Sequence, residues 1–369
     1  MNVLIAGGGT AGHVFPALAL GRHLVKEHGA EVRFAGSPTG QEATLVPAAG
    51  FAFEPVDARP LRRDLSVQTL TAPAAALRSV SRCRPIVEAA DVVVGMGGYA
   101  SVPVGLAAAR AHRPLVLHEQ NAVPGLANRL LARRCRAVAL TFGEAADRFP
   151  RRTRTVVTGN PVRDAILDVD RHRARLATEA VAELGLEPER RTVVVLGGSQ
   201  GALRVNTAAV DAARSLRDRG DIQLLVLTGT AHEASVRDAI LDTGRLLVRA
   251  RAFLERMELA YAAADLVVAR AGATTCAELS VCGLPAILVP YPFATGAHQD
   301  ANARVLERVG AATVVADERL SGGWLAAALV GLLSDRPRLE QMAERSRAWS
   351  RPDAVEALGG VVLGAGRSG

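Results

Sequence analysis

Short apolar runs alternate along this chain with longer amphipathic ones. Val3-Leu4-Ile5-Ala6 is unbroken and ends at glycines, and Phe15 to Glu27 repeats apolar residues at helical spacing. Strand-like runs recur at Glu31 to Ala35, Asp91 to Val94, Pro114 to His118 and Ala137 to Leu140. Runs that are apolar throughout, rather than at every second position, predict strands buried on both faces, hence a parallel sheet covered by helices. Right-handed crossovers then give a doubly wound domain. The pattern pauses at Gly159-Asn160-Pro161-Val162-Arg163, a charged helix is predicted from Arg171 to Leu184, and the cycle restarts at Thr192-Val193-Val194-Val195-Leu196. Further strands are predicted at Gln223 to Leu227, Asp265 to Val268 and Ala286 to Val289, and an amphipathic helical tail at Pro337 to Leu363. The predicted class is α/β, with two doubly wound domains meeting near Asn160 to Asp170. A length of 369 residues suits two cores better than one.

Composition narrows the function. Hydrophobic content of 49% with 22% charged residues is that of a globular protein. The formal charge of +7 favours anionic partners such as phosphorylated substrates or an acidic membrane surface. Lys26 is the only lysine, and the arginines are spread along the chain rather than gathered into a basic arm. Aromatic content of only 4% argues against stacking platforms for single strands, so no nucleic-acid partner is expected. Cys83, Cys135, Cys276 and Cys282 form no Cys-x-x-Cys pair and read as free thiols of a reducing compartment. The opening segment carries no basic leader, and no apolar stretch reaches the roughly 18 to 20 residues that span a bilayer.

The candidate chemistry lies in the loops. Gly7-Gly8-Gly9-Thr10-Ala11-Gly12-His13 follows the first strand and opens a helix, whose N–H groups can receive an anion. The run satisfies Gly-x-Gly-x-x-Gly, but the second strand ends Phe34-Ala35-Gly36-Ser37, without the acid that holds a dinucleotide's ribose. A nicotinamide or flavin cofactor is therefore not expected. His13 is suited to take a proton from a hydroxyl. Gly95-Met96-Gly97-Gly98-Tyr99 and His118-Glu119-Gln120-Asn121 follow two later strands and fall on the same rim. In the second half, Gly197-Gly198-Ser199-Gln200-Gly201 repeats the first arrangement. Arg270 to Glu278 is again strand, small-residue turn and helix, with Glu278 placed to accept ribose hydroxyls; Gln299 and Asp300 are suited to reading sugar hydroxyls. Asp168-Val169-Asp170 matches a metal-holding Asp-x-Asp pattern, but it sits in the interdomain segment and reads as chance.

Seven motifs in this order resemble the family 28 glycosyltransferases, and among them the peptidoglycan N-acetylglucosaminyltransferases: the first glycine loop through Val14-Phe15-Pro16, Gly95 to Tyr99, His118 to Asn121, Gly159 to Arg163, Gly197 to Gly201, Arg270 to Glu278 and His298-Gln299-Asp300. The resemblance implies a GT-B fold, two Rossmann-like domains facing each other across a cleft. Residues 1–163 would form the acceptor and membrane-facing domain and 164–345 the donor domain, with a helix of about 346–369 packing back on the first. It implies inverting, metal-independent transfer, without a cofactor, from UDP-N-acetylglucosamine to the 4-hydroxyl of a lipid-linked muramyl-pentapeptide. The base would be His13, with Glu119 as possible partner. Ser199, Gln200 and Gly201 would meet the diphosphate and Glu278 the ribose, while Leu254, Ala273, Thr274 and Thr275 line the nucleotide and Gln299 and Asp300 read the sugar. Thr10, Ala11, Gly12, Asn121 and Arg163 would close on donor or acceptor, Ala11 standing where members often carry glycine. A lipid acceptor implies a peripheral enzyme on the cytoplasmic side of the cell membrane. Leu70, Leu77 and Val80 beside Arg78, Arg82 and Arg84 could form the face that touches an anionic membrane surface. Three other readings fit the fold: a GT-B transferase with another acceptor, a UDP-N-acetylglucosamine 2-epimerase, and a non-catalytic nucleotide-sugar sensor.

Overall fold

The structure is a computed structural model and describes residues 1–57, 77–197 and 202–367. The chain divides into two compact units, Met1–Arg163 with Pro352–Gly369, and Asp164–Arg351.

The first unit is built on a seven-stranded parallel sheet, ordered β3-β2-β1-β4-β5-β6-β7. Its strands are β1 (Asn2–Ala6), β2 (Glu31–Gly36), β3 (Ala52–Pro55), β4 (Val92–Gly95), β5 (Leu115–Glu119), β6 (Ala137–Leu140) and β7 (Thr155–Val157). Alternate residues of the apolar runs feed two different cores, which is why these strands carry no polar face. Val3, Ile5, Val92 and Val94 pack under helix α1 (Ala11–His28), whereas Leu4, Ala6, Val93 and Leu117 pack with Val87, Val104 and Leu131 on the other side. Those three residues belong to α3 (Arg84–Glu88), α4 (Ser101–Arg110) and α5 (Leu126–Leu131), and α2 (Glu42–Ala48) follows β2. Strand order reverses between β1 and β4, so the loops leaving these two strands flank a topological switch point, where open α/β sheets bind ligands.

The second unit repeats the plan with a six-stranded parallel sheet, β10-β9-β8-β11-β12-β13. The strands are β8 (Arg191–Leu196), β9 (Ile222–Leu227), β10 (Leu247–Arg251), β11 (Leu266–Ala269), β12 (Ala286–Leu288) and β13 (Ala312–Val314). The helices are α6 (Asp164–Leu184), α7 (Leu203–Ser215), α8 (Glu233–Ala239), α9 (Met257–Ala263), α10 (Ala273–Val281), α11 (His298–Arg308), α12 (Gly322–Ser334) and α13 (Arg336–Trp349). Helix α6 starts earlier than the sequence pattern indicates and breaks at His172, beside the predicted start at Arg171.

The helical tail is two helices. Helix α13 packs on α10 and stays with the second unit. Ser350 to Asp353 interrupt it, and α14 (Ala354–Arg367) lays Leu358 and Val362 into the core beneath α1 of the first unit.

Candidate active site

The rim of the first unit is assembled by close approach of the loops after β1 and β4. Gly8 and Gly98 take φ of +146° and +79°, and a Cβ on Gly98 would lie 2.4 Å from the Gly8 carbonyl oxygen. Only glycine lets the two backbones meet there. A Cβ on Gly97 would stand 3.1 Å from the His13 ring, so the second loop also forms a wall against that imidazole.

His13 lies in the first turn of α1, with Thr10 as the N-cap residue, Ala11 opening the helix and Gly12 following. Thr10 Oγ1 is 3.0 Å from His13 Nδ1. If Nδ1 carries the proton, Thr10 accepts it and Nε2 is the basic nitrogen, the arrangement a general base requires. The loop's backbone is less open to an anion than its sequence suggests, because the Gly9 N–H donates to Glu42 Oε2 at 2.7 Å. That carboxylate comes from α2, an element to which the sequence reading gave no role.

The run His118 to Asn121 is not a solvated loop, for His118, Glu119 and Gln120 are all buried. Glu119 Oε1 accepts the Asn121 N–H at 2.9 Å, and Oε2 accepts the Gly125 N–H and Asn128 Nδ2, each at 2.9 Å. Burial pushes its carboxyl above the ordinary value, and these three donors pull the other way. Through these three bonds Glu119 shapes the turn that carries Asn121. His118 Nε2 donates to the Gly159 carbonyl at 3.1 Å, tying β5 to the segment before the unit boundary. Complete burial, and secondarily the nearby His13, lowers its pKa to about 4, so the ring is neutral at physiological pH. Arg163 stacks over Phe15, its guanidinium carbon 4.8 Å from the ring centroid.

In the second unit, Gly198, Ser199, Gln200 and Gly201 lie outside the described residues. Strand β11 pairs with β8, and in the turn after β11 Gly272 is the N-cap residue while Ala273, Thr274 and Thr275 form the first turn of α10. Glu278 stands one turn further on, buried, and its Oε2 accepts the Tyr261 hydroxyl at 2.9 Å. Tyr261 itself is enclosed, so one carboxylate oxygen is already fixed before any ligand arrives. Leu254 is half-buried in the loop between β10 and α9. Gln299 and Asp300 sit in the first turn of α11; Gln299 Oε1 accepts the Tyr291 N–H at 3.0 Å, and Asp300 is 3.6 Å from Arg304.

Arg270 directly follows β11 and carries no role predicted from the sequence. It is nearly buried, pairs with Asp317 at 2.6 Å, donates to the Val289 and Pro290 carbonyls, and lies 5.4 Å from the Tyr291 ring centroid. It thus pins the loop that leads to Gln299. An arginine directly after an apolar strand was the available signal. Asp170, from the Asp-x-Asp run, pairs with Arg347 at 3.2 Å. Among the described residues no group of three or more His, Cys, Asp or Glu is placed to hold a metal.

Two doubly wound units, each with small-residue turns at the carboxyl ends of its strands, place the chain among the α/β proteins with two Rossmann-like domains, and comparison with known proteins gives the family. Residues 3–140 match the glycosyltransferase family 28 N-terminal domain and 192–358 the family 28 C-terminal domain. The chain belongs to glycosyltransferase family 28. It is 43% identical, over the full length of both chains, to the UDP-N-acetylglucosamine–N-acetylmuramyl-(pentapeptide) pyrophosphoryl-undecaprenol N-acetylglucosamine transferase of Moorella thermoacetica. The crystal structure of MurG from Acinetobacter baumannii matches with a TM-score of 0.79 and 28% identity, covering 98% of this chain and 99% of that one. The UDP-GlcNAc 2-epimerase of Neisseria meningitidis shares the fold alone, with a TM-score of 0.68 at 12% identity over 100% of both chains.

Proposed function

We propose that this chain transfers N-acetylglucosamine from UDP-N-acetylglucosamine to the 4-hydroxyl of undecaprenyl-pyrophosphoryl-muramyl-pentapeptide. The observation that carries this reading is the 43% identity, end to end, with a transferase of that name. A match confined to one unit would support donor binding only; this one includes the first unit, where acceptor identity resides.

Chemically, His13 Nε2 takes the proton of the acceptor hydroxyl. The oxygen attacks C1 of the sugar, the C1–O bond to the β-phosphate breaks, and UDP leaves with the bonding electrons, so the anomeric configuration inverts. The Thr10 to His13 contact at 3.0 Å supports this role, since it holds the ring in one orientation. The second unit receives the donor: the first turn of α10 lies along the nucleotide, Glu278 meets the ribose, Ser199, Gln200 and Gly201 meet the diphosphate, and Gln299 and Asp300 read the sugar. Leaving-group charge is stabilised by helix N-terminal N–H groups, and transfer requires no metal or cofactor.

The lipid-linked acceptor calls for contact with an anionic membrane surface from its cytoplasmic side. No helix among the described residues is long and apolar enough to cross a membrane. Of the apolar face expected from the sequence, Leu70 lies outside the described residues, and Val80 is buried with Cys83 and Val87. Leu77, Leu126 and Leu130 are exposed, the latter two on α5 beside Arg129, and these support a contact surface centred nearer the acceptor rim. Sedimentation with vesicles of anionic lipid checks it.

Product analysis tests the activity. With UDP-N-acetylglucosamine and a lipid-linked muramyl-pentapeptide analogue in chelator, NMR of the product is expected to show the β-linked disaccharide. An epimerised sugar formed from donor alone would instead establish the isomerase reading.

A further inference from the structure

Glu42 is among the most enclosed carboxylates of the first unit, at 2% exposure, yet it makes no ion pair among those described there. Its two oxygens accept backbone N–H groups from two different strand ends: Gly9, after β1, at 2.7 Å, and Ser37, after β2, at 2.8 Å. The space around its head is cleared by glycines. A Cβ would lie 2.1 Å from the carboxylate at Gly8, 2.2 Å at Gly40, and 2.5 Å from the side-chain stem at Gly36. Concavities of backbone N–H groups ordinarily capture a ligand's anion. Here the anion is part of the protein.

We propose that Glu42 is the positioning residue of the reaction rim: an internal carboxylate that fills the anion-binding nest between the β1 and β2 loops and so fixes the backbone from which Thr10 and His13 project. The Gly8-Gly9 turn, at φ of +146° and +95°, has no side chains to hold its shape, and Glu42 supplies the anchor. A consequence for the substrate follows. The Gly9 N–H is committed to a negative charge, so this loop does not wrap a diphosphate as the second unit's loop is proposed to do. It presents the N-terminus of α1 and the Thr10-His13 pair to a hydroxyl-bearing acceptor. This inference rests on the reading of His13 as the base.

The test compares Glu42→Gln, Glu42→Ala and His13→Ala in the UDP-release assay, with thermal midpoints recorded for each. Glutamine keeps the shape but turns a donor toward either the Gly9 or the Ser37 N–H. It is expected to lower kcat about 100-fold, the order that a displacement of about 1 Å costs a reacting geometry, with KM for UDP-N-acetylglucosamine unchanged. Glu42→Ala opens a space that formate can enter. Added formate is expected to restore most of its kcat, and to do nothing for Glu42→Gln, whose amide occupies the site. Full kcat in Glu42→Gln, a loss confined to KM, or a folded Glu42→Ala that formate cannot rescue would each overturn the proposal. If Glu42→Ala does not fold, Glu42→Gln decides alone. An inactive His13→Ala with a fully active Glu42→Gln removes only the role of Glu42, whereas a fully active His13→Ala removes the underlying reading as well.

Discussion

At the scale of single residues, the buried polar groups of β5 set the pH behaviour. His118 has a folded-state pKa of about 4 against an ordinary 6.5, because burial disfavours its charged form. Between those values the unfolded chain binds a proton that the folded chain does not, so stability falls as the pH drops from 6.5 towards 4. The contribution is about 3 kcal/mol. Glu119 acts with the opposite sign: its raised pKa gives stability at low pH that is lost as the pH rises through the folded value. Replacing His118 by glutamine is expected to flatten the acid limb of thermal stability measured across this window; an unchanged limb would assign the acid sensitivity elsewhere. Glu119→Gln presents a donor to an N–H group that already needs an acceptor, and should cost about 1–3 kcal/mol in urea denaturation. If Glu119 only shapes the turn, the pH dependence of kcat keeps its form in this variant. A proton acceptor would take one limb of the profile with it.

Among the elements, the meeting of two glycine loops is a tight backbone constraint. Gly98→Ala places a methyl 2.4 Å from the Gly8 carbonyl and at a φ that alanine resists, so the β1 and β4 loops must part. Such backbone strain costs about 1–3 kcal/mol. The expected result is a modest fall in thermal midpoint with a kcat reduced by at least about 100-fold; near-normal turnover would mean that the rim tolerates separation. These loops were legible in the sequence because glycine, placed between an apolar strand and a helix, has few other uses. The central strands were legible because burial on both faces removes polar residues from them. Strands β3, β7, β10 and β13 were not predicted, and their positions explain why. β3, β7, β10 and β13 close the ends of the two sheets, where one flank has no neighbour and the apolar run shortens or admits residues such as Glu54, Arg249 and Arg251. Glu42 was illegible for another reason. One glutamate in Gly40-Gln41-Glu42-Ala43 carries no periodic signal, and only the fold shows that Gly8, Gly36 and Gly40 converge on it.

For the molecule as a whole, the closing helix shows what local pattern cannot carry. The amphipathic tail was plain in the sequence, but its division at Ser350 to Asp353 and the return of α14 to the first unit depend on contacts hundreds of residues apart. Leu358 is fully enclosed beneath α1, and Leu358→Ala is expected to destabilise the protein by about 2–5 kcal/mol in chemical denaturation. A loss below about 0.5 kcal/mol, the size of a surface substitution, would show that the helix is not part of that core. The central claim concerns two substrates, one for each unit, and it is tested most directly by the rate of UDP release with and without acceptor. The account predicts rapid release from UDP-N-acetylglucosamine only when the lipid-linked muramyl-pentapeptide analogue is present, unchanged by chelator. Equal release in the absence of acceptor would contradict it.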